Sequence, residues 1–405
     1  MKLSDLDVFV VANPPPSKGG RYFVFVKLTT ACGITGIGEV YAASFGPRVV
    51  EAMVRDVFER HFLGADPHRI EHLWRVTYGR GYSLRPDPSL VGVLSGLETA
   101  CWDIVGKSAG KPVYDLMGGR CREGLRSYTY IYPPDEAPPG AHPVYEEPAR
   151  AVERALHYLA QGFTALKFDP AGPYTVYDGH QPSLADLERC EAFCRALREA
   201  VGTRADLLFG THGQFTVSGA RRLARRLEPY EPLWFEEPVP PDAPERMAEV
   251  ARSTCVPVAT GERLTTAHEF ARVLDCSAAS ILQPALGRVG GILEVRKIAA
   301  MAAVRYAELA PHLYCGPVEA LANIQVAASI PNFLILESIE RFEGFHADLL
   351  TSPIRWEDGY VIPPTEPGLG SDLNEALARA HPYTGDALHL EMAERALNDR
   401  PAEAP

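Results

Sequence analysis

Apolar and polar residues alternate along Tyr22 to Thr29 and again along Gly33 to Tyr41, on either side of a short turn region around Ala31 and Cys32. This pattern predicts a β-hairpin with one buried face. The period then lengthens. In Pro47–Phe62, His68–Gly79 and Pro88–Ser108 the apolar side chains recur three and four apart, which predicts three amphipathic helices. Hairpin and helices together predict a small α+β module, closed by the glycine pair Gly118 and Gly119.

From Arg126 onward the chain alternates short apolar runs with amphipathic stretches, the texture of βαβ units on a parallel sheet. The predicted strands are Ser127–Tyr132, Thr164–Phe168, Asp206–Phe209, Pro232–Phe235, Val256–Ala259, Ser280–Gln283, Tyr306–Ala310 and Phe333–Leu336. Helix start signals fall between them: Ser183 with Asp186 and Thr266 with Glu269 as capping boxes, and Asp242 before another helix. Eight strands with interleaved helices predict an α/β chain built on a TIM-type (β/α) barrel. An open doubly wound sheet is the weaker alternative, because no strand leads into a GxGxxG or GxxxxGK[ST] loop, and Gly287–Gly291 reads as a tight turn. Beyond Ser352 the chain is rich in Pro and Gly to about Gly370, then helical from Asp372 to Ala380, which predicts a return to the N-terminal module. The expected division is therefore 1–125, 126–352 and 353–405, with Pro401–Pro405 disordered.

A length of 405 residues exceeds what one hydrophobic core usually serves, in keeping with a large and a small domain. With 46% hydrophobic and 23% charged residues the composition is that of a soluble globular protein. The formal net charge of -12, without any basic block, argues against nucleic acid as a partner. An anionic small molecule stays compatible with that charge, since a local cation can hold it. The eight cysteines show no CxxC and read as reduced core thiols. The apolar patch within Met1–Val11 is too short for an export signal or a membrane span, so a cytoplasmic protein without a membrane partner is expected.

In a barrel, chemistry gathers at the carboxyl ends of the strands. Those ends carry Lys167 and Asp169, His212 and Gln214, Glu236 and Glu237, Glu262 and Arg263, His312, and Glu337. Glu236 and Glu262 are 26 residues apart and His312 and Glu337 are 25 apart, one βα unit in each case. Carboxylates are hard oxygen ligands suited to Mg²⁺, while a lysine and a histidine can move protons. The set suggests chemistry at a carbon next to a carboxylate. Tyr128, Tyr130 and Tyr132 share a strand face and read as packing; His142, His180, His268, His346 and His389 read as loop or surface residues without a role.

Seven motifs together resemble one family: Leu97–Gly119, Leu166–Asp169, Trp234–Pro238, Thr260–Arg263, Gln283-Pro284 with Gly290-Gly291, Ala310–His312 and Leu336–Ser338. Over nearly its whole length the chain is similar to the enolase superfamily, mandelate racemase/muconate lactonizing enzyme branch. The resemblance implies Mg²⁺ held by Glu236 and Glu262, acid/base roles for Lys167 and His312, and a substrate-carboxylate partner in Glu337. It implies that the N-terminal module is a capping domain, completed by the C-terminal segment, whose loops Asn13–Gly20 and Tyr41–Phe45 cover the substrate. Glu237, Arg263 and Gln283 are further candidates for substrate binding, and a homo-oligomer is expected.

Three positions depart from the family pattern. Gly210 stands where a third metal carboxylate is usual, so Asp169 is expected to complete the shell, with His212 or water as the alternatives. Ala285 stands where many members place an aspartate that orients the strand-seven histidine. Asp169 replaces the second lysine of a Lys-x-Lys pair, which favours elimination over racemisation and leaves His212 as the acid for the departing oxygen. The segments Gly210–Gln214 and Gln283–Arg288 are similar to those of sugar-lactone cycloisomerases such as galactarolactone cycloisomerase. The expectation is Mg²⁺-dependent β-elimination on an acid sugar or its lactone through a metal-stabilised enolate. An acid-sugar dehydratase is one alternative and a non-catalytic sugar-acid binding protein another.

Overall fold

The computed structural model describes residues 1–42, 44–82, 84–136 and 143–396. His142 and the 401–405 segment, each assigned an expectation from sequence, lie outside them. Thirteen strands occur among the described residues. In chain order they are β1 Leu3–Ala12, β2 Tyr22–Thr30, β3 Thr35–Glu39, β4 Leu125–Tyr130, β5 Ala165–Phe168, β6 Asp206–Phe209 and β7 Trp234–Glu236. There follow β8 Val258–Thr260, β9 Ile281–Leu282, β10 Glu308–Leu309, β11 Leu336–Glu337, β12 Arg355–Glu357 and β13 Tyr360–Ile362. The chain forms two compact units.

The first unit comprises Met1–Tyr128, Gly261–Arg272 and Leu282–Leu390. Its β1, β2 and β3 form an antiparallel sheet, with Val8 opposite Val26 and Val26 opposite Gly38. β1 was not foreseen. Its buried residues Leu3, Leu6, Phe9 and Val11 break strict alternation, and its register against β2 shifts between Leu3 and Asp5, which hides the period of two. The sheet packs on the helix Pro88–Ala109 so closely that a Cβ at Gly38 would lie 1.9 Å from the carbonyl oxygen of Gly96. Only glycine allows that approach. The helix starts where Asp87 Oδ1 accepts from the N–H groups of Ser89 and Leu90, and ends at Gly110 in the left-handed region. The expected helix Pro47–Phe62 is α-helical to Val57 and then makes a π turn through Phe58–Phe62, which keeps both phenylalanines buried.

In the same unit, residues of β4 pair with β11 in parallel and with β13 antiparallel. The β12–β13 hairpin is a second element that sequence reasoning missed. Asp358 and Gly359 both take positive φ at its turn, so the Asp-Gly pair carries the hairpin signal amid the Pro/Gly-rich composition. The tail does bond to N-terminal residues: Val113 donates to Gly368 O at 2.9 Å, Leu369 to Asp103 Oδ1 at 2.8 Å, and Tyr383 to Val10 O at 2.9 Å.

The second unit comprises Thr129–Thr260, Val273–Ile281 and 391–405, of which 397–405 lie outside the described residues. The end of β4, then β5, β6, β7 and β8, lie side by side in parallel, with Thr129 opposite Leu166, Leu166 opposite Leu207, Phe209 opposite Phe235 and Phe235 opposite Val258. Phe168, Phe209 and Phe235 meet edge to face at 5.4 and 5.8 Å, so neighbouring strands interlock on one buried face. The helix Leu184–Val201 starts with the expected capping box of Ser183 and Asp186. Asp242 does precede a helix, Pro244–Ala251, which begins after Ala243 without a side-chain cap. Each of the eight segments expected as barrel strands overlaps an observed strand; β5, β6, β9 and β10 lie inside their segments, whereas β4 starts two residues early, β7 and β8 end one residue late and β11 shares only Leu336 with its segment.

Two expectations need correction. All eight cysteines are free, but only Cys101, Cys190, Cys194 and Cys315 are buried; Cys32, Cys121 and Cys255 are exposed. His346 and His389 are buried rather than superficial. His346 lies edge-on to Phe23, and His389 lies among the rings of Tyr22, Tyr41 and Tyr314. Burial pushes both imidazoles down to about 4 from an ordinary 6.5. The native state therefore keeps them neutral while the unfolded chain takes up protons below pH 6.5. Their contribution to stability is complete above that value and is lost as the pH falls toward about 4, on the order of 3 kcal/mol apiece. Melting temperatures should fall between pH 7 and pH 4.5, and fall less in a His346→Gln/His389→Gln variant; identical slopes would contradict this. No helix of the described residues is long and apolar enough to cross a membrane.

Candidate active site

The parallel strands of the second unit end in a buried polar cluster. Lys167 leaves β5 with its side chain fully buried, and its Nζ donates to Glu236 Oε1 at 2.5 Å. The same Nζ sits 4.8 Å from the centre of the Tyr130 ring. The other oxygen of Glu236 accepts from Trp234 Nε1 at 3.0 Å. Both oxygens are thus fixed by donors, and the ion pair is enclosed by protein, where one charge stabilises the other.

Beside this pair, Asp169 Oδ2 accepts from the Tyr174 hydroxyl at 2.6 Å and lies 3.0 Å from His212 Nδ1. A proton on Nδ1 leaves Nε2 as the reactive nitrogen of His212. His212 takes φ 46°, in the left-handed region where histidine is one of the more tolerated residues. Its ring rests 4.4 Å from that of Tyr174. A Cβ at Gly210 would be 3.5 Å from both Asp169 Oδ2 and Lys167 Cε, so a side chain there would enter the space between these two groups. Asp169, expected as the third metal ligand, here spends Oδ2 on Tyr174 and His212. Glu237 has φ 37°, and its Oε1 accepts from Thr260 Oγ1 at 3.4 Å, so it braces the end of β8.

The second unit therefore gathers Lys167, Asp169, His212, Glu236 and Glu237. One ligand atom of Glu236 and one of His212 lie within 4.8 Å of each other. The buried carboxylate suits a hard divalent cation, and the imidazole stands beside it within reach of the same space.

The first unit holds the remaining candidates. Glu262 follows β8 by two residues and is buried. Its Oε2 lies 3.7 Å from His312 Nε2. Glu337, at the end of β11, accepts at Oε2 from the N–H of Leu313, 2.8 Å away, so it grips the backbone next to His312. Gln283 is buried and Arg263 half-buried. Ala285 stands opposite His312 in a parallel bridge and offers it no side-chain acceptor.

Sequence reasoning overlooked Trp234, Tyr130 and Tyr174 here, and Tyr41, whose ring stacks on His312. Position at a strand end was the available signal for Tyr130, which was read with its neighbours as packing.

A family profile described as "Enolase C-terminal domain-like" matches residues 150–377, and another, "Mandelate racemase / muconate lactonizing enzyme, N-terminal domain", matches 7–118. The chain belongs to the enolase superfamily, in its mandelate racemase/muconate lactonizing enzyme branch. Its fold is the one that goes with this branch, an α+β N-terminal capping domain and a (β/α) barrel. A crystal structure of a candidate mandelate racemase/muconate lactonizing enzyme from Labrenzia alexandrii DFL-11 is 66% identical, covering 98% of this chain and 99% of that one, with TM-score 0.95. The D-xylonate dehydratase of Haloferax volcanii is 34% identical over 92% of this chain and 88% of its own. The D-galactonate dehydratase of Ralstonia pickettii is 35% identical over 88% of this chain and 90% of its own. The Haloferax and Ralstonia relatives are named as sugar-acid dehydratases, which supports an enzyme.

Proposed function

We propose that this member of the branch is a Mg²⁺-dependent dehydratase of a sugar acid of the aldonate class to which D-xylonate and D-galactonate belong. The observation that carries the reading is the pairing, in one unit, of a buried lysine with a carboxylate-held histidine, in a chain whose relatives are named for dehydration. Glu236 and Glu262 would hold the cation; two carboxylates, with water filling other positions, suit Mg²⁺. When bound, the cation offsets the charge that develops on the substrate carboxylate.

The chain's own groups move the protons. Lys167, paired as the ammonium with Glu236 in the resting chain, gives that proton up before turnover and then takes the α-proton at Nζ while the C–H electron pair shifts toward the carboxylate. His212 gives a proton from Nε2 to the β-hydroxyl as that C–O bond breaks, and water leaves. Asp169 and Tyr174 hold the imidazole in position for that transfer. His312 gives a proton to the β-carbon of the resulting enol while the enol hydroxyl releases its own to solvent, giving a 2-keto-3-deoxy acid; Lys167 then passes on the proton it took and both histidines regain theirs from solvent, and Glu337, Arg263, Gln283 and Glu237 complete the substrate site.

The test is a panel of aldonates and lactones with Mg²⁺ in D₂O, followed by mass spectrometry and NMR. Expected are a keto-deoxy acid, release of water and deuterium at the α-carbon of recovered substrate. His212→Ala should retain the deuterium exchange and lose elimination by about 10²- to 10⁴-fold. Consumption of lactones alone, without loss of water, would favour the cycloisomerase reading suggested by Gly210–Gln214 and Gln283–Arg288. Tight binding without turnover would favour a non-catalytic binder.

A further inference from the structure

Ala285, which follows β9 and is buried opposite His312, offers it only a methyl group. The histidine backbone is well held: His312 N–H donates to Pro284 O at 3.2 Å, and Asn323 Nδ2 donates to His312 O at 3.0 Å. Neither bond fixes the plane of the ring. The Tyr41 ring lies parallel to that plane. The two ring centres are 6.3 Å apart and the planes differ by 8°, an offset parallel stack.

Tyr41 is itself clamped. Its N–H donates to Gly287 O at 2.8 Å, and a Cβ at Gly92 would lie 3.0 Å from its carbonyl oxygen. On the ring, the guanidinium of Arg288 sits 4.1 Å from the centre. Arg288 Nη1 also donates to Glu262 O at 3.3 Å, so the cation is tied to the strand end that carries Glu262. The order is Arg288, Tyr41, His312, Glu262.

We infer that Tyr41, backed by Arg288, is a positioning residue for His312: the stack sets the imidazole plane where Ala285 offers no carboxylate. The inference rests on the role proposed above for His312. It makes Tyr41 a contributor to proton delivery through the ring it orients. Tyr41→Phe preserves the ring and Tyr41→Leu removes it, which separates stacking from any contribution of the hydroxyl.

The experiment measures kcat, KM, melting temperature and the ¹H/¹⁵N signals of the His312 ring in both variants, with His312→Asn alongside. Tyr41→Leu should lower kcat by about 10- to 100-fold with KM nearly unchanged, and should move the His312 ring protons out of the shielding of the tyrosine face. Tyr41→Phe should keep wild-type ring shifts and most of kcat at a similar melting temperature. Equal loss in both variants, or unmoved ring signals in Tyr41→Leu, would overturn the inference. Full activity of His312→Asn would instead remove the assigned role of His312, while the ring signals still decide whether the stack exists.

Discussion

Lys167→Met should lower kcat by about 10³-fold or more and abolish deuterium exchange at the α-carbon, because both need the same amine to take the same proton. The methionine chain follows the path of the lysine without offering a base. Since the Lys167 side chain is fully buried against Glu236, the change also removes the cation facing a buried carboxylate. Breaking a buried pair from one side costs about 3–5 kcal/mol. The metal-free variant should therefore melt earlier than wild type. Divalent cation should recover most of the loss, since Glu236 then has a positive charge to face again. Loss of activity with an intact, cation-responsive fold is the expected combination. Exchange that persists in Lys167→Met would move the base elsewhere, and His312 would be the next candidate.

The difference from His212→Ala is what makes these results informative. Lys167 acts before the enol forms and His212 after it begins to form, so one variant loses exchange and the other keeps it. A residue needed only for folding would not separate the two.

The eight barrel strands were readable because each is a short apolar run ended by a polar residue, and burial of whole strands such as β5 makes that pattern emphatic. β1 was not readable, because its register shift scrambles the alternation. β12 and β13 were passed over although Asp358-Gly359 announces a turn, since surrounding prolines and glycines suggested an irregular tail. Among the site residues, acids and bases at strand ends could be named individually. What each would touch could not. Asp169 looked like a metal ligand from its position, yet the tyrosine that claims its oxygen lies five residues on, in a loop with no period to read. Tyr41 stacks on a residue 271 positions away in the chain, a contact that no local pattern encodes.

Glu236→Gln should remove cation binding and turnover together, and it should do so with a distinctive stability signature. The amide can still accept from Trp234 Nε1, so the shape of the site is preserved. What it loses is charge. Lys167 becomes a buried ammonium with no anion beside it, which costs about 3–5 kcal/mol unless the lysine gives up its proton. In wild type, Mg²⁺ at a hundred times its Kd should add about 2.7 kcal/mol of stability through binding to the native state alone. In Glu236→Gln that increment should vanish. The double variant Lys167→Met/Glu236→Gln removes both charges, so it should melt above Glu236→Gln without Mg²⁺ and still show no response to the cation. Calorimetric melts of the four proteins with and without Mg²⁺ check this. A Mg²⁺-induced rise in melting temperature that survives in Glu236→Gln would take this carboxylate out of the cation site, and the proposed mechanism with it.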